Sequence, residues 1–289
     1  MTQSYYIKEC EQRYKNEIEA ITDSILSKPD IKLILIAGPS CSGKTTTSAT
    51  LASLLYEKGG VRAHTISIDD FYKDVVFLPG ETFADKDFEA LDSIDIDLLH
   101  ECLHDLSIGK TVDIPLFDFE KTYRDGIRCR MSLGDNEIAI IEGLHALNPV
   151  IYKNFVDENK ICSIFLDCID NSLSGEKVKY PRLIRRLVRD NNFRNADAHL
   201  TFTLWEKVLI GEEKHIYPFL KYADFSVNTF HGYETKVLKP FAERLLDEIK
   251  SDSIFFKQSS DVLDFLKEFH GTISSQSVPS DSMLKEFIK

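Results

Sequence analysis

Gly38-Pro39-Ser40-Cys41-Ser42-Gly43-Lys44-Thr45 is the stretch that decides the fold. It fits G-x-x-x-x-G-K-[ST], the pattern of a loop that wraps phosphate, the P-loop. Average residue usage produces it in roughly one chain of this length in a hundred, so its surroundings matter. Before it stands Leu33-Ile34-Leu35-Ile36-Ala37, a short apolar run of strand type. After it, Lys44 to about Glu57 reads as a helix with Leu51, Leu54 and Leu55 on one face. Strand, glycine loop and helix are what the chemistry needs. Backbone N–H groups at Gly38, Ser40, Ser42, Gly43, Lys44, Thr45 and Thr46 can turn onto phosphate oxygens, and the helix N-terminus favours negative charge. Lys44 can reach the β- and γ-phosphates of a nucleotide, and the Thr45 hydroxyl can ligate Mg²⁺. ATP and Mg²⁺ are therefore the expected cofactors.

Outward from this loop the chain alternates strands and helices. Residues 5–27 read as an amphipathic helix, with Ile18, Ile21 and Ile25 on one stripe, broken by Lys28-Pro29-Asp30. Ala63 to Ile68, Glu137 to Glu142, Ile161 to Asp167 and, more weakly, Asp224 to Asn228 read as further strands. Helical patterns cover 95–108, 182–193, 197–210 and 233–249. Val112 to Phe117 and Ile127 to Met131 predict a hairpin turning at Asp125-Gly126. The expected fold is α/β: a mostly parallel five-stranded sheet with helices on both faces, a hairpin insertion and a helical lid. The expected organisation is an N-terminal helix over 1–30, the main domain over 31–250 and a C-terminal helical extension over 251–289. In that extension the Ser-rich stretch 271–282 reads as loose. Met283 to Lys289 carries apolar side chains that could dock on the body.

Composition narrows the function. The net charge of −12 argues against a general nucleic-acid or membrane-surface binder. No apolar run approaches the length of a membrane span. The first residues, Met1 to Glu9, show no secretory pattern. The six cysteines form no C-x-x-C pair or zinc spacing, which fits reduced thiols in a cytoplasmic protein. The expected partner is a small molecule, and a homo-oligomer remains open.

Two acidic positions and one basic cluster stand out. Asp69 and Asp70 end the second strand, where open α/β sheets place their chemistry. A carboxylate there can accept a hydroxyl proton or hold Mg²⁺. Glu142 ends the apolar strand Ile138-Ala139-Ile140-Ile141, at the place of a Walker B acid. Arg182, Arg185, Arg186 and Arg189 fall on one helical face, with Arg194 following. Arginine suits bidentate phosphate binding, so the cluster reads as a phosphate lid. Cys41 sits where a helix N-terminus and Lys44 would lower a thiol pKa, although a small residue in a variable loop position is the simpler reading.

Taken together, the P-loop, Ser67-Ile68-Asp69-Asp70-Phe71-Tyr72, Asp87-Phe88-Glu89, Pro115-Leu116-Phe117-Asp118-Phe119, the run Glu142 to Pro149 and the run Arg182 to Asp190 resemble the uridine kinase/phosphoribulokinase family of P-loop kinases. The likeness spans about Ile31 to Lys239. The segment Gly211 to Phe219 and the ending Ser282 to Ile288 look most like bacterial-type uridine kinase-like proteins, often fused behind a TGS domain, which does not precede the kinase here. The resemblance implies a P-loop NTPase fold and an ATP-dependent kinase. It implies Asp69 as catalytic base and Lys44, Arg186 and Arg189 as catalytic groups on the phosphates. It implies Arg194 on ATP and Glu142 with Thr45 at the Mg²⁺ site. Tyr72, Asp87, Phe117, Phe119 and Arg186 would contact the acceptor, with Asp87 on the ribose hydroxyls.

The departures concern the acceptor. Pyrimidine-selective members carry a base-reading His where this chain has Thr122. They carry a further lid Arg where it has Ala196, and a Tyr where it has Phe117. Losing such polar groups relaxes or redirects specificity. A nucleoside acceptor is the leading expectation. A sugar phosphate or other small alcohol, and a nucleotide-binding regulatory module without turnover, are the alternatives.

Overall fold

In the computed structural model, which describes residues 2–81, 86–119 and 121–289, the chain begins with helix α1 (Gln3–Leu26), capped by the Thr2 hydroxyl. Strand β1 (Leu33–Ala37) leads through the glycine loop into α2 (Lys44–Gly59) and β2 (Arg62–Ser67). A 3-10 turn over Ile68–Phe71 follows, then α3 (Ile96–Ser107), β3 (Val112–Asp118), β4 (Tyr123–Met131), β5 (Glu137–Glu142) and the short α4 (Pro149–Tyr152). The second half holds β6 (Ile161–Asp167), α5 (Tyr180–Phe193), α6 (Ala198–His215), β7 (Phe225–Asn228), α7 (Glu234–Asp247) and α8 (Phe256–Lys267).

Strands β2, β5, β1, β6 and β7 form one sheet in that order, every pairing parallel. β1 is buried on both faces, which is why its five residues are all apolar. Its side chains alternate between two cores. Ile34 and Ile36 pack with α1, α2, α5, α7 and α8, whereas Leu33, Leu35 and Ala37 pack with α3, α4 and the hairpin. The register sets the site: Ile36 and Ser67 both stand opposite Glu142, so β1, β2 and β5 end at one level.

Two expectations need correction. The β3–β4 hairpin does not turn at Asp125-Gly126. It turns between Asp118 and Tyr123, which pair with each other, and Asp125-Gly126 lies inside β4. Pairing jumps from Phe117 opposite Arg124 to Pro115 opposite Ile127, a bulge in which Gly126 takes φ 93°. A dipeptide that tolerates positive φ serves a bulge as well as a turn, and local sequence does not separate the two. The Ser-rich stretch 271–282 is also anchored rather than loose. Ile273 and Val278 are buried, and the Ile273 N–H donates to the Lys236 carbonyl at 3.0 Å. The docking of the last residues holds: Met283, Leu284, Phe287 and Ile288 belong to the core.

Candidate active site

The phosphate cradle grows out of β1. A Cβ on Gly38 would fall 2.4 Å from the Leu166 carbonyl, so only glycine lets the loop leave the sheet this close to β6. Gly43 takes φ 85° at the start of α2 and provides no side-chain cap. The first N–H groups of α2 are thereby left for a ligand, an arrangement suited to an anion. Lys44 folds over the loop, its Nζ donating to the carbonyls of Gly38 (2.8 Å) and Pro39 (3.2 Å). The Ser42 hydroxyl is buried without a hydrogen-bond partner. Thr45 is exposed, and the Thr46 hydroxyl donates to Glu286 at 2.8 Å. Cys41 is buried at φ 62°, as a small loop residue would be.

The acidic pair after β2 splits into two environments. Asp70 is buried and gripped by Arg128, with contacts of 2.5 and 2.7 Å, and it also accepts the Phe117 N–H at 3.4 Å. It ties the hairpin to the sheet. Asp69 has no such clamp and lies in the field of Lys44 and Arg194. Burial pushes its carboxyl above the usual range, Lys44 and Arg194 pull it down, and Asp70 adds to the rise. Glu142 is buried at the end of β5 and is likewise raised by burial, with Lys44 lowering and Asp69 raising. Asp69, Glu142 and Lys44 therefore share one electrostatic neighbourhood. Among the described residues no group of three or more His, Cys, Asp or Glu could hold a metal. The Thr45 hydroxyl and the Glu142 carboxylate are hard oxygen donors. They suit a Mg²⁺ that keeps its waters and takes its other ligands from phosphate.

The arginine stripe of α5 does not act as one lid, which corrects the expectation for its first turns. Arg182 makes a buried bidentate pair with Glu212 at 2.6 and 2.8 Å. Arg185, fully buried, pairs with Glu234 at 2.7 and 2.6 Å and donates to the carbonyls of Cys41 (3.0 Å) and Thr229 (2.9 Å). These two hold the P-loop from behind. Arg186 donates to the Ser40 hydroxyl at 2.9 Å, and its Nε stands 3.3 Å from the Asp190 carboxylate. Arg189 lies on Asp190 at 2.6 Å, and Arg194, 60% exposed, stands 3.8 Å from the same carboxylate. Those three gather around Asp190, and Arg186 also reaches the loop at Ser40.

On the other side, Tyr72, Phe117 and Phe119 lie in one aromatic cluster with Phe88. Tyr72 meets Phe88, Phe117 and Phe119 at ring separations of 5.7, 5.5 and 5.8 Å, and its hydroxyl donates to the Phe88 carbonyl at 2.6 Å. Asp87 is exposed, and its carboxylate accepts the Glu89 N–H at 3.0 Å. Thr122 sits in the hairpin turn at φ 62°, its hydroxyl donating to the Lys121 carbonyl.

Three residues were not singled out from sequence. Glu89 is pushed up to about 7 by burial, against the pull of Arg186, with Glu212 adding to the rise. His145, 1% exposed, bonds the Glu89 carbonyl through Nε2 at 3.0 Å and leaves Nδ1 unpartnered. Burial lowers it to about 4. Arg128 clamps Asp70. Glu89 and His145 had a signal, their places in the runs Asp87-Phe88-Glu89 and Glu142 to Pro149; Arg128 had none, because its role depends on a contact across the fold.

Comparison with known proteins supplies the family and the fold. The sequence model of the Phosphoribulokinase / Uridine kinase family matches residues 33–236. A uridine kinase of Staphylococcus aureus (strain JH9) is 28% identical over 199 residues, covering 68% of this chain and 86% of the relative. Among solved structures, a candidate fructose transport system kinase from Silicibacter sp. TM1040 superposes with a TM-score of 0.53 at 21% identity. That match covers 73% of this chain and 98% of the other.

Proposed function

The chain belongs to the phosphoribulokinase/uridine kinase family, and from that premise we propose that it transfers the γ-phosphoryl group of ATP to a hydroxyl of a small acceptor, a nucleoside such as uridine being the leading candidate. The observation that carries the reading is the shared level of β1, β2 and β5, which brings Lys44, Asp69 and Glu142 together. Asp69 accepts the proton of the attacking hydroxyl, and burial raises its pKa, which strengthens it as a base. The α2 N-terminus, Lys44, Arg186 and Arg189 hold and neutralise the phosphates, with Arg194 closing on ATP. Thr45 and Glu142 would hold Mg²⁺, which supplies charge neutralisation on the phosphate oxygens. Tyr72, Phe117 and Phe119 form the face for the acceptor, and Asp87 takes its vicinal hydroxyls. The reading includes a cytoplasmic site of action, supported by six free thiols. No helix among the described residues is long and apolar enough to cross a membrane.

A second acceptor class is favoured by one observation. The Thr122 hydroxyl is engaged within its own turn and is unsuited to reading a base. Sugar phosphates and other small alcohols therefore stand as the alternative to a nucleoside. The test is ADP release across a panel of nucleosides, deoxynucleosides, sugars and sugar phosphates, with Lys44→Ala as control. The expected result is turnover with an acceptor bearing vicinal hydroxyls, ribosides above deoxyribosides, and loss of Mg·ATP affinity in the control. ATP binding with no turnover on any acceptor would favour a regulatory module. Efficient, exclusive use of uridine and cytidine would mean that residues other than Thr122 read the base.

A further inference from the structure

The C-terminal segment from Ser282 to Ile288 is built into the body. Met283, Leu284, Phe287 and Ile288 are at most 2% exposed and share a core with α1, α5 and α7. The Ser282 hydroxyl meets the Tyr233 hydroxyl at 3.2 Å. Asn192 Nδ2 donates to the Phe287 carbonyl at 2.9 Å, and the Arg185 guanidinium lies 5.0 Å from the Phe287 ring centre. The Met283 sulfur packs where a side chain on Gly43 would go, 2.4 Å from its ideal Cβ. The segment thus runs from the first turn of α2 to the end of α5, between the phosphate cradle and the base of the lid arginines.

One polar side chain of this segment turns toward the cradle. The half-buried Glu286 accepts the Thr46 hydroxyl at 2.8 Å, one residue beyond Thr45 in the first turn of α2. Its charge is felt at Glu142 and Arg189, on the cleft side. A carboxylate at the rim of an anion site repels phosphate and cannot donate a hydrogen bond to it. It is matched instead to hydroxyl donors adjacent to the phosphates. A nucleoside triphosphate places its ribose hydroxyls just beyond the α-phosphate. The buried anchors hold the carboxylate at this rim.

We propose that Ser282–Ile288 forms a wall of the donor-nucleotide site and that Glu286 positions the donor by accepting hydrogen bonds from its ribose hydroxyls. This rests on the ATP-kinase reading above. The test uses the full chain, wild type and Glu286→Gln, titrated with Mg·ATP, Mg·2′-deoxyATP and Mg·3′-deoxyATP. Wild type should bind ATP roughly tenfold more tightly than at least one deoxy analogue, the scale of one hydrogen bond to a charged group. The Glu286→Gln variant should lose most of that difference, weakening ATP while changing the deoxy analogue less than about twofold. In turnover its KM for ATP should rise with kcat at saturation retained, and its melting temperature without nucleotide should match wild type. Glu286→Asp should restore part of the discrimination. An unchanged ratio in Glu286→Gln overturns the proposal while leaving the kinase reading intact. Tighter binding of all three nucleotides overturns it in favour of a repulsive gate. Failure of wild type to bind Mg·ATP would sink both readings together.

Discussion

On the phosphate side of the cleft, strand, loop and helix from Leu33 to Gly59 are backed by core, and Arg182, Arg185 and Arg186 behind the loop are buried. On the acceptor side, β4 is mostly exposed, and Phe119 and Asp87 stand at the surface. The same device, an arginine gripping a carboxylate through two contacts, appears on both. Arg185 with Glu234 is 0% and 1% exposed, whereas Arg128 with Asp70 is 51% and 6% exposed. The difference teaches where this molecule is rigid by necessity. Phosphate handling needs one geometry, enforced by burial. Acceptor recognition hangs on an exposed hairpin that can change without disturbing the sheet.

The largest test of that contrast is stability. Arg185→Ala should cost about 3–5 kcal/mol, because it strands Glu234 in the core. Arg128→Ala should cost less, about 1–3 kcal/mol: it leaves the buried Asp70 carboxylate without its partner, but the guanidinium it removes was half in water. Urea unfolding of the two variants measures both, and equal losses would erase the distinction between the two sides.

Next comes chemistry within the acidic pair. Asp69→Asn should lower kcat by about a hundredfold or more while leaving ATP binding in place, the usual scale for a general base. Asp70→Asn should act chiefly through the hairpin, raising KM for the acceptor and loosening the Arg128 clamp. Near wild-type turnover in Asp69→Asn would move the base to Glu142 or Asp70.

The smallest effect sharpens the boundary between the sides, where Glu89 lies. Burial pushes its carboxyl up to about 7, well above the ordinary carboxylate value of about 4.5. The fold therefore favours the neutral carboxyl. That contribution is fully present below about pH 4.5 and is lost as pH rises through about 7. Glu89→Gln should gain stability relative to wild type between pH 5 and pH 8. A difference that stays flat across this window in denaturant titrations would mean that Glu89 keeps its ordinary acidity in the fold.

Much of the phosphate side was legible because its signals are local. The G-x-x-x-x-G-K-T spacing, the apolar run Leu33–Ala37 and the acid ending Ile138–Ile141 each lie within a few residues and met the structure with matching bounds. The hairpin was legible as an element but not in its turn. Asp125-Gly126 supports a bulge as readily as a turn, and pairing across strands made the choice. The arginine stripe was legible as a stripe, but not in its division of labour. Arg182 and Arg186 are neighbours on one helix face, and only Glu212 and Ser40, far away in sequence, assign one to the core and the other to the loop.

The sequence by itself determined the parallel sheet, the phosphate loop and the candidate base, because strand period, glycine spacing and helix pattern are properties of short windows. Tertiary structure alone decided which aspartate is free and which is clamped, and which arginines are structural. It also decided that Glu286, about 240 residues beyond Thr46, stands on the first turn of the phosphate helix. The physical reason is that burial and partner choice depend on contacts between distant segments. An arginine or a carboxylate reads the same in the chain whether its partner is water, a buried ion pair or a ligand.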